Sequence, residues 1–252
     1  MSDTAARGNL TISGAGTIAT GSYRTVSVAG SATIDGDIEC TAFKVSGTTD
    51  GRGSLKADTV SVSGAMRLDG DVDAEEIKVA GSAWLGGDVR TGKLRVAGTV
   101  DVGGDYSGET VALQGFLRVK GDCAVERFGC EGGFEVSGLL NAGVVDVALG
   151  APCTATEIGG ESISVRYASW ALKRLVAKLL PSQSFRLTAE TIEGDDVRLE
   201  NTTAKVVRGT HVTLGPGCDI ELVEYSEGFE RASGAKVKTA RKTASVPLAE
   251  GQ

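Results

Sequence analysis

A strict 17-residue glycine period runs through the first half of this chain, and no other feature limits the fold as strongly. One series comprises Gly30, Gly47, Gly64, Gly81, Gly98, Gly115 and Gly132. A second comprises Gly36, Gly53, Gly70, Gly87, Gly104, Gly121 and Gly138. A unit maintained over about eight copies indicates a solenoid, in which each repeat packs on its neighbours.

The apolar residues between these glycines form three pairs with i, i+2 spacing, which is the spacing of a strand with one buried side. In one repeat the pairs are Met66 with Leu68, Val72 with Ala74, and Ile77 with Val79. Glycine tolerates positive φ and aspartate can close an Asx-turn, so the intervening Gly and Gly-Asp positions are predicted corners. Helical i, i+3, i+4 spacing does not persist. The repeat predicts an all-β, parallel β-helix with a triangular core and turns ~4.8 Å apart.

The pattern loosens after Val147, and residues 167–181, YASWALKRLVAKLLP, have a different character. Apolar and basic side chains there fall on opposite faces at helical spacing, which predicts a short basic amphipathic helix. Such a helix could cover the solenoid, or it could dock on an anionic membrane or a partner's groove. The candidate docking residues are Trp170, Lys173, Arg174, Leu175, Lys178 and Leu179.

The strand pattern returns from residue 185, and the stretch to residue 225 predicts about two further turns. Its recurring pairs are Val197 with Leu199, Ala204 with Val206, Val212 with Leu214, and Ile220 with Leu222. The spacing from Val197 to Leu214 equals the glycine period of the first half. The predicted organisation is a main β-helical domain at 9–166, a helix at 167–181, a second β-helical stretch at 185–225 and a flexible basic tail at 226–252.

Charge and cysteine usage limit the partners and the compartment. A net charge of -7 argues against nucleic acid as the main partner, because phosphate binding needs a clustered positive surface. No GxxxxGK[ST] phosphate loop occurs, so no nucleotide is expected. The five cysteines include no CxxC pair, and the chain has neither an apolar signal segment nor a run of ~20 apolar residues. We expect a protein of the reducing cytoplasm, whose basic segment could associate it with a membrane or a partner.

Aspartate at the predicted corners is the most regular polar feature. The column consists of Asp37, Asp71, Asp88, Asp105 and Asp122, with Ser54 on one rung. Stacked carboxylates could bind calcium, but the nonapeptide unit of calcium-binding β-helices is absent, and a solvated Gly-Asp corner is the simpler interpretation.

The remaining reactive side chains also have structural interpretations. The mixed outward position that includes Arg67, Trp84 and Asp101 is typical of a solvated sheet face, although β-helical polysaccharide enzymes use such faces. His211, the only histidine, follows a turn signal on a predicted strand and has no assignable nucleophile. Cys40, Cys123 and Cys130 occupy inward positions and are predicted core residues rather than metal ligands. We therefore predict no catalytic, cofactor-binding or metal-binding residues.

The VxGxxxxxGDV turns resemble those of the bactofilins, which are bacterial cytoskeletal proteins. The resemblance covers roughly residues 9–166, and again IEGDDVRLENTTAKVVRGTHVTLGPGCDIELVEY at 192–225, as in longer bactofilin-like proteins of Gram-positive bacteria. It implies a right-handed parallel β-helix that polymerises without nucleotide or other cofactor, and a scaffold for cell shape, envelope growth or motility. The alternative function is a carbohydrate-binding or carbohydrate-active β-helix.

The first and last turns of such a β-helix have unpaired backbone groups, which must be capped or paired with another molecule. We therefore predict a homopolymer formed end to end, with membrane surfaces or envelope and motility proteins as further partners. The candidate assembly residues are Leu10, Ile12 and Ile18 at one end and Leu222, Tyr225 and Phe229 at the other.

Overall fold

The computed structural model describes residues 8–167 and 185–243, and all the regular secondary structure of these residues is β-strand. The strands are Asn9–Ile12 (β1), Ala15–Val28 (β2), Ser31–Val45 (β3), Thr48–Arg52 (β4), Leu55–Val62 (β5), Ala65–Leu68 (β6), Val72–Val79 (β7), Ser82–Leu85 (β8), Val89–Val96 (β9), Thr99–Val102 (β10), Tyr106–Leu113 (β11), Phe116–Val119 (β12), Cys123–Cys130 (β13), Gly133–Leu149 (β14), Cys153–Tyr167 (β15), Leu187–Leu199 (β16), Thr202–Leu214 (β17), Asp219–Arg231 (β18) and Lys236–Lys242 (β19). Apart from Tyr167, which ends β15, the predicted helix at 167–181 lies outside the described residues.

All strand pairings are parallel, and each strand between β1 and β19 pairs with the strands one turn before and after it, so the chain forms a parallel β-solenoid. A single column of hydrogen-bonded neighbours runs through Ile38, Leu55, Val72, Val89, Tyr106, Cys123 and Leu140. The spacing along this column is the same as the spacing of the glycines. The predicted fold class and repeat length are therefore confirmed.

Each turn has three sides, and the turn from β6 through β7 shows why. The short strand β6 forms the first face. The longer strand β7 forms the second and third faces, and the pairing between β5 and β7 omits Glu75, where the chain bends. All six predicted inward side chains of this turn, from Met66 to Val79, are at most 5% exposed. The core is thus a narrow stack of mostly small aliphatic residues. Full burial of one Val, Leu, Ile or Met side chain contributes about 1.5–3 kcal/mol to the stability.

The corner glycines are required for a reason that differs from the prediction. Among the described residues only Gly36, Gly53 and Gly217 are glycines with positive φ, so conformational freedom does not explain the series. At Gly81 a Cβ atom would lie 1.9 Å from the carbonyl oxygen of Gly64, one turn earlier. Successive corners approach too closely for any side chain, and this contact is what selects glycine.

The solenoid continues directly from β15 to β16, although the paired residues are twice as far apart in sequence as in the regular turns. Val165 pairs with Leu199, and the backbone N–H of Cys153 donates to the carbonyl of Arg186 at 3.0 Å. The backbone N–H of Tyr167 donates to a carboxylate oxygen of Glu200 at 3.2 Å. The strands on either side of residues 168–184 therefore form one continuous stack.

The C-terminal part differs from the prediction in its period and in its length. Val197 pairs with Val212 and not with Leu214, so this turn is shorter than the regular repeat and the spacing seen in the sequence is a coincidence. Val206 and Leu222 are only partly buried, and their neighbours Val207 and Val223 are the fully buried residues. Val207 thus follows Ala204 by three residues across a corner, as Val60 follows Ala57 in the regular repeat, so the predicted i, i+2 pairing was wrong here.

Four stacked strands, β16 to β19, follow Tyr167, and each adds a layer to the solenoid. The prediction had only about two turns here. Pairing of β18 with β19 extends the solenoid to Lys242, well into the segment predicted to be a flexible tail. The prediction missed β19 because its sequence, KVKTARK, belongs to a terminal strand whose side chains are mostly exposed and therefore lack an apolar alternation.

Candidate assembly surfaces

The N-terminal end presents a strand edge without charge. Within the described residues β1 pairs only with β2, and the first-face part of β2 pairs only with β3. The backbone N–H of Arg24 donates to the carbonyl of Gly8, so the backbone groups of Gly8 face β2. Backbone groups alternate in direction along a strand, and those of Asn9 and Thr11 therefore face the free edge. Among residues 8–34 only Arg24 carries a charge. An uncharged edge of this kind is able to pair with another strand.

Three apolar residues predicted to assemble at this end differ in exposure. Ile18 is fully buried and Ile12 is 9% exposed, so both belong to the core and do not form a contact surface. Leu10 is partly buried and packs on that core. Tyr23 also packs across it, and its hydroxyl donates to the carbonyl of Ala19 at 2.9 Å. The aromatic ring therefore partly caps this end, and no strand in residues 8–167 and 185–243 pairs with the outer backbone edge of β1.

The C-terminal end is different because β19 lies over the residues that were predicted to be terminal. Leu222 pairs with Val206 on one side and Thr239 on the other, and Tyr225 pairs with Lys242. Phe229 remains in the last rung of the third face, where its ring stacks on Tyr225 with centroids 5.4 Å apart. The outermost strand carries Lys236, Lys238, Arg241 and Lys242. Lysine on an edge strand disfavours pairing with another strand.

A ladder of alternating charges connects β19 to the strands before it, in addition to the backbone pairing. Glu193, Arg208, Glu224 and Arg241 occupy one column on four successive strands. The carboxylate of Glu224 accepts from Arg208 Nε at 2.6 Å and from Arg241 Nε at 2.8 Å, and its side chain is 11% exposed. The hydrogen bond from Arg208 and then that from Arg241 lower the pKa of Glu224.

The aspartate column forms a hydrogen-bonded ladder. Asp71, Asp88 and Asp105 each accept, through Oδ1, the backbone N–H of the aspartate one turn later at 2.8–2.9 Å. Asp37 and Asp122 accept in the same way from Ser54 and Leu139 at 2.8 Å. The carboxylates therefore satisfy corner amides. No cluster of side chains that could hold a metal ion occurs within residues 8–167 and 185–243.

Other candidate chemical groups occupy structural positions. His211 is exposed, and Nε2 lies 3.2 Å from a carboxylate oxygen of Glu227, an acid that the sequence spacing did not identify. All five cysteines are buried and none is in a disulfide. Burial raises the pKa of the Cys123 thiol to about 12, which disfavours the reactive thiolate.

The mixed outward position of the first face is a chain of paired charges. Arg118 pairs with Asp101 at 2.5 Å and with Glu135 at 3.0 Å. Arg67 lies 3.7 Å from the centroid of the Trp84 ring, which covers one face of the indole. The outward charges of this face and its one tryptophan are therefore engaged with neighbouring side chains of the same ladder.

No helix long and apolar enough to cross a membrane occurs in the described part of the chain. The six candidate docking residues, Trp170, Lys173, Arg174, Leu175, Lys178 and Leu179, lie outside it.

The described residues form a parallel β-solenoid with corners built by glycine and aspartate and with an unpaired strand edge at the N-terminal end, which places the chain among the β-solenoid proteins. Residues 2–90 match the family model of the bactofilins, which is described as polymer-forming cytoskeletal. The predicted resemblance is confirmed over these residues, whereas the C-terminal stretch at 192–225 lies beyond the match.

Two curated relatives come from Bacillus subtilis (strain 168). Uncharacterized protein YhbE is 44% identical over 109 residues, which are 43% of this chain and 44% of that protein. Uncharacterized protein YhbF is 39% identical over 106 residues, which are 42% of each chain. The similarity thus spans less than half the length of these relatives. No solved structure matches the chain.

Proposed function

We propose that this protein is a non-enzymatic cytoskeletal scaffold that assembles end to end without nucleotide and positions machinery for the cell envelope, cell shape or motility. The observation that carries the proposal is the uncharged, one-sided strand edge formed by β1 and the start of β2, on a chain whose residues 2–90 match a polymer-forming family. Backbone groups at such an edge gain hydrogen bonds when a second copy pairs with them, and no cofactor is needed.

The two ends are expected to contribute unequally. The N-terminal edge carries no charge beyond Arg24, whereas β19 carries four basic residues. Like charges on two facing β19 strands would repel, and the repulsion would weaken as salt increases. We therefore expect the N-terminal edge to form the stronger contact, and Phe229 to contribute at the other end, where it is partly exposed.

Residues 170–179 are proposed as the adaptor through which the polymer meets an anionic membrane or a protein partner. This segment combines Lys173, Arg174 and Lys178 with Trp170, Leu175 and Leu179 on an otherwise acidic protein. Each basic residue near an anionic bilayer contributes about 1 kcal/mol of attraction. A polymer presents many copies of the segment, and multivalency raises the overall binding by orders of magnitude.

Removal of two edge N–H groups tests the proposed N-terminal contact. The variant Thr11→Pro, Thr17→Pro removes amides that point to the free edge and leaves the β1–β2 and β2–β3 hydrogen bonds in place, because proline is tolerated on an edge strand. The matched control is Thr11→Val, Thr17→Val, which keeps both amides. We expect the parent and the valine variant to form filaments visible by negative-stain microscopy without nucleotide, and the proline variant to sediment as small species.

Circular dichroism must show the same β-sheet signal for all three proteins. A parent protein that remains monomeric at every accessible concentration would contradict the scaffold proposal. If the folded proline variant still forms filaments, the assembly contact does not use this edge. The variants Leu10→Lys and Phe229→Lys would then show which of the two ends is in contact. Liposome co-sedimentation of the parent and of Lys173→Glu, Arg174→Glu, Lys178→Glu tests the adaptor separately.

A further inference from the structure

The third face of the solenoid carries an unpartnered basic surface between residues 42 and 129. Its outward side chains include five basic residues, Lys44, Lys78, Lys93, Arg95 and Arg127, and one acid, Glu76. Glu76 pairs with Lys78 at 2.7 Å and also with Arg95. Lys44, Lys93 and Arg127 are exposed and have no ion pair within the described part of the chain. We call this surface the basic face.

The opposite side of the three-sided cross-section is acidic. The corner between the first and second faces carries seven aspartates, Asp35, Asp37, Asp69, Asp71, Asp88, Asp105 and Asp122, with two basic residues, Arg52 and Lys120. All seven are exposed, and only Asp69 has an ion pair, with Arg67 at 3.2 Å. We call this corner the acidic ridge. A triangular prism places each corner opposite one face, so the two surfaces point in opposite directions.

The charges on the two surfaces are opposite in four of the six turns that begin between residues 35 and 120. Asp35 and Asp37 share a turn with Lys44, Asp69 and Asp71 with Lys78 beside Glu76, Asp88 with Lys93 and Arg95, and Asp122 with Arg127. Asp105 shares its turn with the neutral residues Thr110 and Ala112. The one turn whose ridge is purely basic, at Arg52, has the neutral residues Thr59 and Ser61 on its third face. A ridge placed on a basic face at equal height therefore meets opposite charges in four turns and neutral residues in the other two, and no like-charge contact forms at Arg52.

We propose that the acidic ridge of one copy docks on the basic face of a second copy, with the two solenoids side by side, parallel and at the same height. The contact joins different surfaces of identical chains, so it is heterologous and does not close by itself. Because the ridge and the face point in opposite directions, repetition without rotation produces a flat sheet of solenoids. The inference rests on the proposed end-to-end assembly, which multiplies the number of ridge contacts along each filament.

The hydrogen bonding of the ridge allows its charge to be removed without damage to the corner. Asp71, Asp88, Asp105 and Asp122 each use Oδ1 to accept a backbone N–H, and asparagine offers the same acceptor without the charge. The test variant is Asp71→Asn, Asp88→Asn, Asp105→Asn, Asp122→Asn. The control variant removes the same number of charges from the corner between the second and third faces, as Asp58→Asn, Glu75→Gln, Glu109→Gln, Glu126→Gln.

Sedimentation at two speeds separates lateral from longitudinal assembly. Low-speed pellets report laterally joined filaments, and high-speed pellets report filaments of any kind. We expect the parent to pellet at low speed in about 0.1 M salt and to lose that pellet in about 1 M salt, where the Debye length falls to about 3 Å. We expect the test variant to lose the low-speed pellet in about 0.1 M salt and to keep the high-speed pellet, while the control variant behaves as the parent does.

Three results would overturn the inference: a parent that forms filaments but no low-speed pellet at low salt, equal loss of that pellet in the test and control variants, or a pellet in the test variant as large as in the parent. Absence of the high-speed pellet from the parent would instead count against the proposed end-to-end assembly. The variant Lys78→Glu, Lys93→Glu, Arg95→Glu, Arg127→Glu is expected to lose the low-speed pellet too. If it loses binding to anionic vesicles while its lateral assembly persists, the basic face recognises lipid and the proposal fails.

Discussion

Asp88 accepts the backbone N–H of Asp105, one turn later, through its Oδ1 atom at an N···O distance of 2.9 Å. The same oxygen occupies the space above Gly104, where a Cβ atom would lie 2.2 Å from it. Glycine and aspartate at these corners are therefore two parts of one contact between successive turns. The aspartate satisfies a corner amide that cannot pair along the strand, and the glycine leaves room for the carboxylate.

Substitutions at Asp88 separate the acceptor from the charge. Asp88→Ala removes the partner of the Asp105 amide, and we expect a loss of about 0.5–1 kcal/mol in the free energy of unfolding. Asp88→Asn keeps the acceptor and relieves repulsion from the carboxylates above and below, so its thermal midpoint should equal or exceed that of the parent. Equal destabilisation of the two variants in thermal melts would show that the hydrogen bond contributes nothing.

A methyl group at Gly81 should be far more harmful than one at Gly14. Gly81→Ala places a Cβ atom 1.9 Å from the backbone oxygen of Gly64, and the backbone shift needed to relieve this clash costs about 1–3 kcal/mol. Gly14 has no atom within 4 Å of the same position. Chemical denaturation of both alanine variants measures the difference, and a Gly81→Ala protein as stable as Gly14→Ala would contradict the close-approach explanation.

The inward register is tested by neighbouring residues on the third face. Val79 is 2% exposed, so Val79→Asp buries a charge without a partner and should lower the stability by several kcal/mol, about 3 or more. Ala80 is exposed at the following corner, and Ala80→Asp should change the stability by less than about 0.5 kcal/mol. Thermal unfolding monitored by circular dichroism decides between these outcomes, and similar midpoints for the two variants would invalidate the register.

Removal of the Tyr106 hydroxyl should stabilise the protein. This oxygen is buried and has no hydrogen-bond partner among the described residues, and burial raises the pKa of Tyr106 well above its usual value. Tyr106→Phe removes an unsatisfied polar group and should gain about 1 kcal/mol. Tyr23→Phe is the contrasting variant, because it loses the hydrogen bond to Ala19 and should be neutral or less stable. A less stable Tyr106→Phe protein would mean that the hydroxyl has a partner.

The last strand should become sensitive to acid through Glu224. Its pKa is lowered in the folded protein, first by Arg208 and then by Arg241, so its stabilising contribution is fully present above the ordinary glutamate pKa of about 4.3. That contribution disappears as the pH falls through the lower folded value. Hydrogen exchange should show earlier exposure of β19 amides than of β9 amides on acidification, and Glu224→Gln should weaken β19 at neutral pH and remove this pH dependence.

Glu230→Gln serves as the control for the acid experiment, because Glu230 is exposed on the third face of β18 and has no ion pair within residues 8–167 and 185–243. In the Glu230→Gln protein, hydrogen exchange of the β19 amides should depend on pH as it does in the parent. An identical response of the Glu224→Gln and parent proteins would exclude the charge ladder as the contact that retains the strand.

The sequence alone determined the fold class, the length of the turn and the inward residues of the regular repeats. This was possible because each turn contacts only the turns before and after it, so a period in the sequence is also a period in space. The inward positions of Val72, Ile77 and Val79 followed directly from i, i+2 alternation. The similarity to the bactofilins likewise rested on these local repeats, and the family match covers residues 2–90, which include the first of them.

Only the tertiary structure decided what contacts those repeats make. The clash between Gly81 and the Gly64 carbonyl exists only between stacked turns, so the sequence indicated a glycine without its cause. The direct pairing of β15 with β16, the shorter turn from Val197 to Val212 and the strand β19 depend on register between strands, which apolar spacing cannot fix once the period changes. The acidic ridge and the basic face alternate along the sequence but lie on opposite sides of the solenoid, because the chain closes three sides around one core.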